Sequence, residues 1–374
     1  MQPIVNICNS RFSKFKHPQE GRYFAIDESF QKSFSWRDPL RLYLPSKPAK
    51  YGQKFQCCVD GNFYLHKFLI SYPAQFSTWQ NLAELMDQVF PAQYFGKGCT
   101  VVCDNYFCTT KIIENFHKKD TSILCTMRAN RVQMSMGKSL FQVLHKKPVK
   151  REFRRKIEIY QCKLNSGYDQ YLQYGFYSDK QHKQPVIFGT NDPRLFNSEN
   201  LNTQHVSKYL IGNEKPQFSL MYDKHMGYVD GMDQSISEYT VSRKYNNKRW
   251  IRRFITNIFD FTIQNSYVLY NTKYKKISGL PKVSPSRLHN FFMYNLTVGM
   301  LQANSKTTVP VIITENVVNA VASARSSKAV TCVHAGHSRQ NRGQTLNLCS
   351  VCKKPACSQH ATIVCNSCHP QNNH

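Results

Sequence analysis

The stretch Thr100 to Met127, TVVCDNYFCTTKIIENFHKKDTSILCTM, changes its apolar period twice. Thr100 to Cys103 is a short apolar run of strand length that ends at Asp104. Thr109 to Lys118 reads as a helix, and Ser122 to Met127 as a second strand. Strands alternating with helices predict an α/β core with some parallel pairing. Upstream, Tyr23 to Ile26 is a candidate strand ending at Asp27. Lys54 to Val59 and Tyr64 to Ser71 read as a hairpin, with Asp60-Gly61-Asn62 supplying the turn. Leu82 to Phe90 has helical spacing.

Downstream the pattern shifts. Lys146 to Lys156 is very basic, and Lys156 to Cys162 alternates as a strand does. Strand-like runs follow at Tyr171 to Tyr177 and Val186 to Gly189. The interval of about 128–215 reads as an inserted β-rich subdomain. After Gly227 the chain turns helical through about Tyr245, and again from Arg249 to Tyr270. The second helix carries Ile251, Phe254, Ile255, Ile258, Phe259 and Thr262 as a stripe expected to bury against the sheet. The domain reading is a core over 1–275, a connector over 276–330 and a cysteine-rich module over 331–374.

Composition sets the partner class. Fifty Lys and Arg stand against 23 Asp and Glu, a formal net charge of +27. Such a charge repels itself unless a polyanion neutralises it, and nucleic acid suits it. The apolar fraction of 41%, with 24 Phe and 21 Tyr, is ample for a packed core and argues against wholesale disorder. No run reaches the roughly 18 apolar residues of a membrane span, so no membrane partner is expected. Met1 to Ser10 lacks the plan of a secretory signal. Eight cysteines scatter between Cys8 and Cys162, mostly in apolar runs, and six crowd into 332–368. Core thiols and zinc thiolates in a reducing compartment are the expectation.

Asp27 and Asp104 each follow an apolar strand, where residues of an α/β sheet face the ligand crevice. Asp230 and Asp233, in Val-Asp-Gly-Met-Asp-Gln, lie three residues apart at a helix start and so share one face. Clustered carboxylates suit hard divalent cations such as Mg²⁺, and two such ions can serve an attacking and a leaving oxygen on phosphorus. The plain alternative is that all four cap turns or helix N-termini. A carboxylate pair also serves glycosidases, but so basic a chain suits phosphate substrates better.

Ala25-Ile26-Asp27-Glu28 followed by Leu42-Tyr43-Leu44-Pro45-Ser46-Lys47-Pro48-Ala49-Lys50-Tyr51-Gly52 resembles the opening of the piggyBac transposase catalytic domain. Val102-Cys103-Asp104-Asn105-Tyr106-Phe107 resembles its second catalytic segment. Gly227-Tyr228-Val229-Asp230-Gly231-Met232-Asp233-Gln234 resembles the third, continued by Ser242-Arg243-Lys244 and Lys248-Arg249-Trp250. The resemblance covers most of the chain, least surely over 128–215. It implies an RNase H-like core with an inserted domain, and DNA cleavage and strand transfer at TTAA sites by Asp27, Asp104 and Asp230 holding two Mg²⁺. Asp233 matches a further acidic position of the family. In that chemistry water attacks the transposon end, and the freed 3′ hydroxyl then attacks the other strand and later the target. Arg243, Lys244, Lys248 and Arg249 suit DNA phosphates, or else form a solvated helix face. The partners implied are double-stranded DNA and, since two ends must be held together, a homodimer.

Twenty-six residues precede Asp27, where family members carry a substantial region for dimerisation and end binding. A truncated or domesticated copy, or a sequence continuing upstream, accounts for this. The expectation is that the chain alone does not excise and reinsert a transposon.

The tail reads Cys349-x2-Cys352-x4-Cys357-x2-His360-x4-Cys365-x2-Cys368. Ligand pairs spaced by two residues are a zinc signature. Two structural Zn²⁺ need eight ligands, and His334-x2-His337 repeats the spacing, with Cys332 a rival for one position. The resemblance agrees, since piggyBac tails carry a cross-braced module of this spacing with a Cys pair where His334 and His337 stand. Interleaved pairs also occur in RING and PHD modules. Three functions stay open: an active or once-active DNA transposase or endonuclease, a domesticated DNA-binding protein without turnover, and a zinc interaction module on an inert scaffold. A nuclear location is expected, and basic runs such as Lys146 to Lys156 fit either import signals or phosphate contacts.

Overall fold

The computed structural model describes residues 1–14, 23–72 (except 34, 46 and 48), 79–128, 131, 156–163, 171–177, 186–196, 205–209, 216–240, 249–276, 285–304, 347–348 and 355–356. Two compact units divide the chain, Met1–Leu269 and Tyr270–His374.

The first unit is built on one mixed sheet. Its strands are β1 (Tyr23–Lys32), β2 (Arg41–Tyr43), β3 (Tyr51–Asp60), β4 (Leu65–Ile70), β5 (Thr100–Cys103), β6 (Ser122–Met127), β7 (Lys156–Lys163), β8 (Tyr171–Tyr177), β9 (Val186–Thr190) and β10 (His205–Tyr209). The order is β10-β7-β8-β9-β6-β5-β1-β3-β2, and β4 pairs with β3. Among the described strands, only β1–β5 and β5–β6 pair in parallel. These are the strands joined by helical crossovers: α2 (Trp79–Val89) leads into β5, and α3 (Thr110–Lys118) links β5 to β6.

Burial on both faces explains why Tyr23–Ile26 at the start of β1, and β5 and β6, read as largely apolar runs. Phe24, Ile26, Val101, Cys103, Ile123 and Cys125 point to one face, where they pack with Leu85, Phe90, Ile112 and Phe116 of the α2–α3 layer. Ala25 points to the other face, towards Val229 and Met232. Val102 and Leu124 meet Phe218 there. Both faces are covered, so no polar alternation is needed. Helix α3 begins where Thr109 Oγ1 accepts a hydrogen bond from Ile112 N at 3.2 Å. That cap is worth about 1 kcal/mol. Ile112, Ile113 and Phe116 are then almost wholly buried, and truncating Phe116 to Ala would cost about 3–5 kcal/mol.

Several elements differ from the sequence reading. Helix α1 (Gln2–Lys14) was not expected; it seats Val5 and Phe12 against the β3–β4 face. Its Asn9 brackets the backbone of Phe68, donating to its O at 2.8 Å and accepting from its N at 3.0 Å. The described strands of the interval 128–215 are β-rich but continue the core sheet, because β9 pairs antiparallel with β6. Helices α4 (Gln217–Met226) and α5 (Tyr228–Tyr239) follow, then α6 (Trp250–Lys276). The stripe of α6 is rotated from the one expected. Phe254, Ile258 and Phe261 are buried, but Ile251, Ile255 and Phe259 are exposed. The buried face also carries Asn257 and Asn265, whose amides bond Gln53 and the backbone of Leu65. Apolar spacing alone misplaces a face that packs partly through amides.

The core cysteines were expected as free thiols. Cys57, Cys58, Cys99 and Cys103 are buried outside any disulfide, but Cys108 and Cys125 form a disulfide, Cα to Cα 6.3 Å. The loop entering α3 and strand β6 deliver both side chains into one apolar cluster.

In the second unit, α7 (Pro285–Asn304) occupies part of the stretch read as a connector. A two-residue pairing, β11 (Asn347–Leu348) with β12 (Pro355–Ala356), lies within the cysteine-rich segment. Among the described residues no helix is long and apolar enough to cross a membrane.

Candidate active site

The parallel ladder between β1 and β5 runs from Tyr23↔Thr100 to Ile26↔Cys103. The next residue on each chain is Asp27 and Asp104. Alternation from Ala25 and Val102 carries both towards the face covered by α4 and α5. Asp104 does end its strand. Asp27 does not: β1 continues to Lys32 on its antiparallel ladder with β3, where Asp27 faces Cys57. The expected strand end is the end of β5, past which β1 runs on.

Helix α5 brings the other two carboxylates. Asp230 is exposed in its first turn, and Asp233 lies one turn further. Ser29 Oγ donates to Asp233 Oδ1 at 2.7 Å, so the helix is tied directly to β1. Gly231 lets α5 lie against the β3–β4 turn: a Cβ there would stand 2.4 Å from the ring of Phe63.

Electrostatics mark the cluster. Burial pushes the Asp27 carboxyl up to about 7, and the nearby charges of Asp104, Glu28 and Asp230 push the same way, against a hydrogen bond from Glu28 N. Burial also raises Asp104, with Glu28 adding to the effect. The Tyr106 and Phe107 amides and the Lys54 ammonium oppose it. Asp233 rises to about 7 through burial and Asp230, opposed by the Ser29 hydroxyl and Lys47.

Among the described residues no three His, Cys, Asp or Glu side chains form a group that could hold a metal ion. Three of the carboxylates take a local donor: Glu28 N for Asp27, Tyr106 N at 2.8 Å for Asp104, and Ser29 for Asp233. Asp104 thus also fills the turn-capping role that is its plain alternative. The donor set itself fits a hard divalent cation, since all are carboxylate oxygens and burial with mutual repulsion raises three of their proton affinities.

Residues that sequence reasoning did not single out complete the surroundings. Lys54 is 8% exposed, pairs with Glu28 and lies 4.8 Å over the Tyr106 ring. Lys47 approaches Glu28 at 3.8 Å. Arg131 Nη1 donates to the carbonyls of Asn105, Tyr106 and Cys108, clamping the turn that carries Asp104. Tyr222 feels the charges of Asp104 and Asp27 and bonds Thr126 through its hydroxyl. Only strand register puts Lys54 beside Glu28, so spacing gives no signal for it.

Of the basic residues expected on DNA, Arg249 is exposed just before α6. Arg243, Lys244 and Lys248 lie outside the described residues, as do Cys332, His334, His337, Cys349, Cys352, Cys357, His360, Cys365 and Cys368.

The fold is similar to that of a piggyBac transposase solved by cryo-electron microscopy as a synaptic complex with hairpin DNA. The TM-score is 0.60 at 18% identity, covering 98% of this chain and 73% of that one. A family model described as Transposase IS4 matches residues 1–267, which include Asp27, Asp104, Asp230 and Asp233. By that match the chain belongs to the Transposase IS4 family.

Proposed function

We propose that the chain is a piggyBac-like, transposase-derived protein whose Asp27, Asp104 and Asp230 form a DNA-cleaving site. One observation carries this reading: strand register sets Asp27 beside Asp104, and Asp230 on α5 is close enough to raise the proton affinity of Asp27. These three carboxylates would hold two Mg²⁺, with Asp233 in support. Bound ions would supply Lewis-acid activation of phosphate oxygens and of the attacking water. Asp233 anchors α5 to β1 through Ser29. Lys54 offsets the negative charge of Glu28 and Asp104. The net charge of +27 draws duplex DNA, and Arg249, with Arg243, Lys244 and Lys248, is assigned to its phosphates. TTAA as target, strand transfer, a homodimer and a nuclear location belong to the same proposal through the resemblance.

The test is nicking of supercoiled DNA by the full chain in Mg²⁺ or Mn²⁺. Asp27→Ala, Asp104→Ala and Asp230→Ala should each abolish it. Duplex binding without any nicking would establish instead a domesticated DNA-binding protein. The tail is assigned two Zn²⁺, held by His334, His337, Cys349, Cys352, Cys357, His360, Cys365 and Cys368. Metal analysis of the purified chain tests this; one zinc per chain would remove His334 and His337 from the ligand set.

A further inference from the structure

We infer that the β1–β2 loop and the β2–β3 hairpin form a stacking platform for unpaired bases of the DNA strand engaged by the carboxylate site. The inference rests on the proposed DNA-cleaving role and names a feature of its substrate. Three aromatic side chains stand out of this edge: Trp36 is 76% exposed, Tyr43 57% and Tyr51 44%. Two of them carry a guanidinium over the ring. The Arg37 guanidinium lies 4.8 Å over Trp36, and that of Arg41 lies 3.9 Å over Tyr51. Tyr43 and Tyr51 are register partners with ring centroids 4.9 Å apart. Surface aromatics interleaved with arginines suit bases, which offer a π-face, together with phosphates, which the guanidiniums meet.

The platform is built rather than incidental. Buried Asp38 accepts from Ser33 Oγ at 2.6 Å, Leu40 N at 2.9 Å and Gln53 Nε2 at 2.8 Å, which fixes the loop carrying Trp36 and Arg37. Arg41 Nε is buried and has no hydrogen-bond partner among the described residues, a donor still to be satisfied.

Register relates the platform to the site. Cys57 pairs with Asp27, Phe55 with Ser29 and Gln53 with Gln31, so Tyr51 falls on the same face of the sheet as Asp27. From Tyr51 to Cys57 is about 20 Å at about 3.4 Å per residue. A duplex hides its π-faces, so the platform selects strands that are open near the cleaved phosphate.

The test compares the full chain and its Trp36→Ala, Trp36→Phe and Tyr51→Ala variants. Binding of a poly(dT) oligonucleotide and of a duplex of equal length is measured at one salt concentration, with quenching of tryptophan fluorescence as a second readout. Trp36→Ala and Tyr51→Ala should each weaken single-strand binding about tenfold and leave duplex binding within about twofold. Trp36→Phe should retain most of the affinity, and Trp36→Ala should remove most of the quenching. Equal losses on both DNA forms, or no loss on either, would overturn the inference. So would a change of oligomeric state in Trp36→Ala with single-strand binding intact, which would make the patch a protein interface. A wild-type chain that binds neither DNA form would instead defeat the DNA-cleaving role on which the inference rests.

Discussion

Ser29 Oγ and Asp233 Oδ1 lie 2.7 Å apart, and this hydrogen bond joins strand β1 to helix α5 across 204 positions of sequence. It fixes the spacing between the Asp27 strand and the Asp230 helix. The Asp233 carboxyl is desolvated and held near pKa 7, so the folded state binds a proton that the unfolded chain, at about 4, has released. Stability from this group therefore falls as pH rises from about 4 to about 7 and is level above that. Asp233→Asn should raise Tm by roughly 2–4 °C per kcal/mol recovered, at pH 8 and not at pH 4. Thermal denaturation at the two pH values checks this; equal shifts would show that the charge is not the cause.

Cation binding should track the protonation of Asp27. Its carboxyl is pushed up to about 7, and a divalent cation competes with that proton. Apparent Mn²⁺ affinity should therefore climb as pH rises to about 7 and flatten beyond, with proton release detectable by calorimetry in buffers of different ionisation enthalpy. Asp27→Asn should lower the affinity and reduce the pH dependence, the remainder coming from Asp104 and Asp233, which are raised as well.

Lys54→Met should destabilise the chain and disturb the site together. Lys54 is buried against Tyr106 and pairs with Glu28, so its loss leaves Glu28 with only the 3.8 Å approach of Lys47. A cost of about 1–3 kcal/mol is expected, measured by urea denaturation. The proton affinity of Asp104 should rise further, because Lys54 is the cation opposing that rise.

Gly52→Ala should be costly although it adds one methyl. A Cβ there would stand 2.5 Å from the backbone oxygen of Gln31 and 2.7 Å from the Phe30 ring. Gly52 is paired with Lys32 on one side and Leu42 on the other, so the backbone has no room to retreat. A loss of about 1–3 kcal/mol should appear, with weaker single-strand binding as β2 and its Tyr43 shift.

Duplex affinity should fall steeply with salt, as Lys and Arg release counterions. Arg249→Ala should lower affinity evenly across sequences and reduce the slope by about one. An unchanged slope would assign Arg249 to solvent.

The sequence by itself determined the strands that matter most here. Thr100–Cys103 and Ser122–Met127 are apolar runs of strand length, and the structure has β5 and β6 over those same residues. Short apolar runs bounded by turn chemistry are local signals. So is the Asp60-Gly61-Asn62 turn, where Asp60 Oδ1 accepts from Asn62 N at 2.9 Å. Asp27, Asp104, Asp230 and Asp233 were legible because each follows an apolar run or lies near the start of a helix. What the tertiary structure alone decided are the relations between distant residues. That β1 runs on past Asp27 depends on its ladder with β3, and that Ser29 meets Asp233 depends on how α5 crosses that ladder. The buried face of α6 could not be read from apolar spacing, because Asn257 and Asn265 pack inward by bonding Gln53 and Leu65 while Ile251, Ile255 and Phe259 stay outside. The raised proton affinities of Asp27 and Asp233 belong to the same class. Desolvation depends on what covers a carboxylate, and the covering elements come from other parts of the chain.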